Sequence, residues 1–181
     1  MTSDTVTFRK RFPGLSRFTD KDLAIFLDSL KIMEYPAGAV VMAPGYGSGS
    51  MFFVDEGSVE VSLESGQHPI VVGELKVGSW FGEMALIDPA PASAKVTTLT
   101  NCTLLVLKND AFNKLRRAHP GVSGKLLQVI NEGLAQRLHN TIKHIDGLQI
   151  AAEGGVSPED KKSWFTELAR RVFGPVAKGR R

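Results

Sequence analysis

The stretch "MFFVDEGSVEVSL", residues 51–63, decides the fold. Met51 to Val54 form an unbroken apolar run. Gly57 then divides it from a second run in which Val59, Val61 and Leu63 alternate with Glu60 and Ser62. Alternation with a period of two is what a half-buried strand requires, because successive side chains point to opposite faces. The same punctuation extends to both sides. Between Pro36 and Lys108 lie "AVVM" (39–42), "PIVVGEL" (69–75), "KVTTL" (95–99) and "TLLVL" (103–107), broken up by Gly38, Gly47, Gly66, Gly73 and Gly78. Short strands with a turn roughly every ten residues point to a sandwich or barrel such as a jelly roll. The expected fold class is mainly β with flanking helices: a double-stranded β-helix followed by a long C-terminal helix.

Helical spacing appears outside this block. Thr19 reads as an N-cap with Asp22 three residues on, and Leu23, Phe26, Leu27 and Leu30 follow, predicting a helix over 20–31. Residues 1–11 are polar and are expected to form a loose N-terminus. Helix returns at Asn109 or Asp110, with Phe112 and Leu115 inward, until Pro120 interrupts. A long helix is predicted over 121–150, with Leu127, Ile130, Leu134, Leu138, Ile142, Ile145 and Leu148 stepping by three or four. So narrow a stripe needs an apolar partner. Its first part is expected to pack on the sandwich and its later part to pair in a homodimer; intrachain packing alone is the alternative. "AAEGGV" (151–156) reads as a linker. Ser157 caps a last helix, with Pro158 at its first position, Glu159 and Asp160 in the first turn, and Trp164, Phe165, Leu168, Val172 and Phe173 on one face. Gly174-Pro175 stops it. That amphipathic helix, basic at its end, has three candidate docking surfaces: its own body, a partner, or a membrane surface. The domain plan is thus 1–11, 12–150 and 151–181.

Composition bounds the function. The chain has 181 residues, 43% hydrophobic and 23% charged, which suits one globular domain with a tail. The net charge of +3 does not make the whole surface a nucleic-acid interface. The charge is uneven: over 161–181, Lys161, Lys162, Arg170, Arg171, Lys178, Arg180 and Arg181 face one acid, Glu167. That excess reads either as a solvated tail or as attraction for an anionic partner. Cys102 is the single cysteine, so no intrachain disulfide forms, and it reads as a small core residue. No secretory signal pattern and no membrane-spanning run is seen, so the expected location is cytoplasmic. His68 stands alone among the strands, and His139 and His144, five apart, face different ways on a helix. Metal chemistry of the cupin kind is therefore not expected. No local motif suggests a nucleophilic triad, and the chain is not read as an enzyme.

The order of short helix, glycine-punctuated jelly roll and long helix resembles the cyclic nucleotide-binding domain over about Phe12 to Ile150. The most specific stretches are "MFFVDEGSVEV" (51–61) and "GSWFGEMALIDPAPASAKV" (78–96), the latter similar to that family's phosphate-binding cassette. The resemblance implies a cyclic AMP or cyclic GMP ligand, no other cofactor, and ligand-binding positions at Phe81, Gly82, Glu83, Met84, Ala85, Ala92, Ser93 and Ala94. Gly82 would let the backbone approach phosphate and ribose. Glu83 would accept the ribose 2′-hydroxyl. Met84 to Ile87 would aim free helix amides at the phosphate. Ser93 would reach the same phosphate, and Val96 would wall the base. Thr141, beside Asn140, is placed to read a purine edge or else faces solvent.

One residue departs from the family pattern. After Pro91 the family has an arginine that pairs with the phosphate; here stands Ala92. A charge-assisted hydrogen bond is worth about 1.5–3 kcal/mol, so capture is expected to weaken by about ten- to hundredfold. Lys95, at an odd offset along a strand, faces away from Ala92. Two readings stand: a weakened sensor, or a scaffold with a vestigial cradle that serves protein–protein interaction. The region after Ile150 offers one helix, so sequence-specific DNA reading by a helix-turn-helix is not expected.

Overall fold

The computed structural model describes residues 2–46, 49–64, 69–88 and 91–152, with the backbone alone for 2–5 and 140–152. Helix α1 (Thr2–Arg11) and a 3-10 turn (Pro13–Leu15) precede α2 (Asp20–Asp28). Eight strands follow: β1 (Lys31–Tyr35), β2 (Val40–Met42), β3 (Ser50–Glu56), β4 (Ser58–Leu63), β5 (Ile70–Lys76), β6 (Trp80–Phe81), β7 (Lys95–Thr98) and β8 (Cys102–Lys108). Helix α3 (Met84–Ile87) lies between β6 and β7, and α4 (Asn109–Ala118) and α5 (Pro120–Ala152) close the described chain. The strands form two four-stranded sheets, ordered β1-β8-β3-β6 and β2-β7-β4-β5, and every pairing is antiparallel. This is the expected jelly-roll arrangement with flanking helices and a long helix.

The unbroken runs in β3 and β8 have a physical cause. Phe52, Val54, Leu104 and Val106 point into the core between the sheets, whereas Met51, Phe53, Leu105 and Leu107 point into a second core shared with the helices. A strand covered on both faces has no polar side to alternate with. Phe53 is the hinge of the second core: Phe12 and Phe26 meet it edge-on, with centroids 5.7 and 5.6 Å away. Burying each such ring stabilises the fold by about 1.5–3 kcal/mol.

The structure departs from expectation in several places. The N-terminus is helical: Phe8 is buried, Arg9 donates to Asp20 and to the Phe18 carbonyl, and Arg11 pairs with Asp55. Its polar composition concealed one apolar anchor. Helix α2 has the predicted Thr19–Asp22 capping box but ends at Asp28, and Lys31–Tyr35 is a strand. That strand is an edge with Ile32 71% exposed, so no burial period marks it. In β4 the alternation breaks at a bulge between Val61 and Ser62, which leaves Ser62 buried and Leu63 exposed. Helix α4 is capped at Lys108; Asn109, one residue in, donates instead to the Ala85 carbonyl of α3 at 3.0 Å.

Helix α5 begins at Pro120, as proline's fixed φ favours, and extends through Ala152, so Ala151 and Ala152 of the expected linker are helical. Its buried face differs from the predicted stripe. Val122, Leu126, Val129 and Ile130 are buried, Leu127 and Leu134 are only partly so, and Leu138 is 62% exposed. The side chains of Ile142, Ile145 and Leu148, together with His68 and the predicted terminal helix, lie outside the described residues. Lys125 donates to Asp22 at 2.6 Å and Arg17 pairs with Glu132, so charges pin α5 to the N-terminal segments. Asp22 Oδ2 accepts from Lys125 and also from the Thr19 amide and hydroxyl. These bonds, Lys125 first and Thr19 next, lower the Asp22 pKa from 3.8 to about 2. Cys102 is a core residue as expected, its thiol donating to the Ser58 carbonyl.

Candidate ligand-binding site

Residues 81–85 and 91–94 line one side of a cavity of about 280 Å³. Phe81 forms its base, stacked on Phe52 across the β3–β6 pair at 4.9 Å between centroids. The chain must then turn sharply. Gly82 has φ +76°, and a Cβ there would lie 2.6 Å from the Ser50 carbonyl oxygen, so any side chain is excluded. The turn delivers Glu83 into the cavity wall, and one helical turn, α3, follows.

The structure brings together Phe81, Gly82, Glu83, Met84, Ala85, Ala92, Ser93 and Ala94, all lining this cavity, with Val96 beside them. Met42, Val61 and Leu75 complete an apolar wall from the second sheet. Lys95 does not line it; it pairs across to Ser62 while its neighbour Val96 turns inward. Ala92 is held by its backbone: its N–H donates to the Tyr46 carbonyl and its carbonyl accepts from Gly45 N–H. Thr141 lies on α5, but its side chain is outside the described residues.

Two details change the expected chemistry. The amides of Ala85 and Leu86 donate to the carbonyls of Gly82 and Glu83, so the turn uses them internally instead of offering them to an anion. Glu83 is 5% exposed and already partnered: Arg137 of α5 donates to its Oε1 at 2.8 Å. Arg137 also donates to the Trp80 carbonyl at 3.1 Å, and its guanidinium lies 4.6 Å from the centre of the Trp80 ring. Of the described residues lining the cavity, Arg137 is the one cation.

Sequence reading missed Arg137. A signal for it existed: Val122, Leu126, Val129, Ile130, Gly133 and Arg137 step by one helical face, so a charge sits on the buried stripe. Counting apolar residues alone shifted the stripe towards Leu127 and Leu138. Near the cavity Gly133 has a defined role. A Cβ there would be 2.4 Å from Trp80 Cζ2, so the indole lies directly against the helix backbone.

The site is thus a small cavity of the β-sandwich, set behind a glycine–glutamate turn and closed on one side by a long helix. A family model described as cyclic nucleotide-binding domain matches residues 32–119, and the chain contains a domain of that family. A cyclic nucleotide-gated potassium channel of Mesorhizobium japonicum is 40% identical over 95 residues, 52% of this chain and 25% of that protein. The cAMP-activated global transcriptional regulator CRP of Haemophilus influenzae is 29% identical over 131 residues, 71% of this chain and 57% of that protein. The crystal structure of a cyclic nucleotide-binding domain from Methylobacillus flagellatus shares the fold, with a TM-score of 0.68 at 18% identity over 74% of this chain and 79% of that one. The regulatory domain of Toxoplasma gondii PKA, crystallised with cAMP, aligns with a TM-score of 0.58 at 26% identity over 70% of this chain and 48% of that one. The chain spans between a quarter and somewhat over half of the length of these curated relatives. Among the described residues no helix is long and apolar enough to cross a membrane.

Proposed function

We propose that the chain is a non-catalytic sensor that binds a cyclic nucleotide, cyclic AMP or cyclic GMP, in the Phe81–Ala94 cavity with weakened affinity. The observation that carries this reading is the buried Glu83 in the wall of a mainly apolar cavity of about 280 Å³, close to the lower end of roughly 300–1,000 Å³ for small-molecule sites. The relatives named above for cyclic nucleotides or cAMP support the ligand class. The ring phosphate would lie beside Gly82 and Ser93, and the base against Val61, Leu75 and Val96. With Ala92 apolar, Arg137 is the cation left to balance the phosphate charge. The ribose hydroxyl would compete with Arg137 for Glu83, so occupancy would act on α5. Beyond the body, α5 would pair with a second copy, an assignment supported by the exposed Leu138. Isothermal titration with cyclic AMP and cyclic GMP tests the reading; no heat at millimolar nucleotide ends it.

A second reading has its own support. Ala85 and Leu86 amides and Glu83 Oε1 already have partners within the protein, so none of them requires a ligand, which suits a scaffold. A scaffold would show no rise in melting temperature across a nucleotide panel, whereas a ligand that binds only the folded state raises it.

A further inference from the structure

We propose that Trp80 is the positioning residue of the cavity: seated on the bare backbone of Gly133, it sets where Arg137 meets Glu83 and thereby joins the cavity to α5. Its purpose rests on the ligand reading above, but its geometry does not. Strand β6 is a two-residue wall. Phe81 faces the cavity, and Trp80, its neighbour, faces the helix side, where it packs against the second core. Trp80 touches α5 in three ways. Its ring lies where a Cβ of Gly133 would be, its carbonyl accepts from Arg137, and its face carries the Arg137 guanidinium. Gly133 and Arg137 are one helical turn apart, so a single indole contacts both. The other end of Arg137 is on Glu83, three residues after Trp80. Cavity wall, indole, helix and cavity carboxylate therefore make a closed circuit.

Gly133 is the informative member. A glycine inside a helix is unfavourable relative to alanine, so its presence calls for a local reason. At Gly124, in the same helix, an added Cβ meets nothing within 4 Å. At Gly133 it meets the indole. The two glycines thus form an internal comparison with equal propensity and unequal surroundings.

The experiment uses the full chain carrying Trp164→Phe, which leaves Trp80 as the sole tryptophan of the two. Gly124→Ala is expected to raise the melting temperature by about 2–4 °C, with Trp80 emission and amide exchange over 82–88 unchanged. Gly133→Ala is expected to shift Trp80 emission and to speed exchange over 82–88 by about three- to thirtyfold, the factor a cation–π contact represents. Arg137→Lys keeps the charge but loses the planar stack and the fork, and is expected to give the same rise in exchange without unfolding. If Gly133→Ala behaves like Gly124→Ala, or Arg137→Lys leaves exchange over 82–88 unaltered, the proposal fails. Titration with cyclic AMP separates the two claims. A wild-type chain that gives no heat, while the variants still change exchange, removes the ligand and keeps the positioning role. Wild-type binding matched within about twofold by Gly133→Ala removes the positioning role and keeps the ligand.

Discussion

Ala92 and Gly82 show how far single positions decide affinity and fold separately. Ala92 hydrogen-bonds to the loop after β2 through its backbone alone, while its half-buried methyl lines the cavity and packs against the core between the sheets. Ala92→Arg is expected to tighten cyclic nucleotide binding by about ten- to hundredfold in isothermal titration; no gain would show that position 92 does not face a phosphate. Gly82 is the reverse case. Its positive φ and the nearby Ser50 carbonyl leave no room for Cβ. Gly82→Ala is expected to lower stability by at least about 1–3 kcal/mol, read from the urea midpoint. Both positions were legible in the sequence through its resemblance to the family's cassette, which has the glycine–glutamate turn and an arginine where Ala92 stands. For Arg137 the sequence carried only its place on the buried stripe; its partner Glu83 is 54 residues away, and no local pattern reports that meeting.

Between elements, charge pairs hold α5 on the body where apolar contacts thin out. Leu126 and Ile130 are fully buried; past them the contacts of α5 with Trp80 and Glu83 are Gly133, about one turn on, and Arg137, about two turns on. The Asp22–Lys125 pair joins α2 to α5 and gives stability a pH dependence. Asp22 has a folded pKa of about 2, below its ordinary 3.8. Its contribution is therefore complete above about pH 4, where the unfolded chain is also ionised, and is lost as pH falls from about 4 through 2. Calorimetric melts between pH 5 and 2 (about that range) are expected to drop less steeply for Lys125→Met than for the wild-type chain. Equal slopes would show that the pair does not bear on stability. The capping box at Thr19 was readable from spacing alone. The edge strand β1 was not, because its residues are exposed on both faces and only pairing with β8 makes them a strand.

For the molecule as a whole, the described residues form a sandwich with helices packed on one side, the last of them the long helix α5. On that helix Leu138 is a large apolar side chain left 62% exposed. If a second copy covers it, sedimentation is expected to give about twice the chain mass of 19.6 kDa, and Leu138→Glu is expected to return it to one chain with an unchanged melting profile of the body. A monomeric wild-type chain would end the dimer assignment. Nucleotide binding is expected to change amide exchange over 121–139, since Glu83 and Arg137 connect the cavity to α5; unchanged exchange with bound nucleotide would leave the helix outside the response.

By itself the sequence determined the glycine-bounded strand runs and the capped helix, and through its family resemblance the cavity-forming turn, because each is a short-range pattern: a run, a cap spacing, a glycine beside an acid. Tertiary structure alone decided which face of α5 is buried, that the N-terminus is helical, that Leu63 turns outward after a bulge, and that Arg137 reaches Glu83 across Trp80. Periodicity reports that a face is covered; it carries no information about what covers it, and the partners here come from distant parts of the chain.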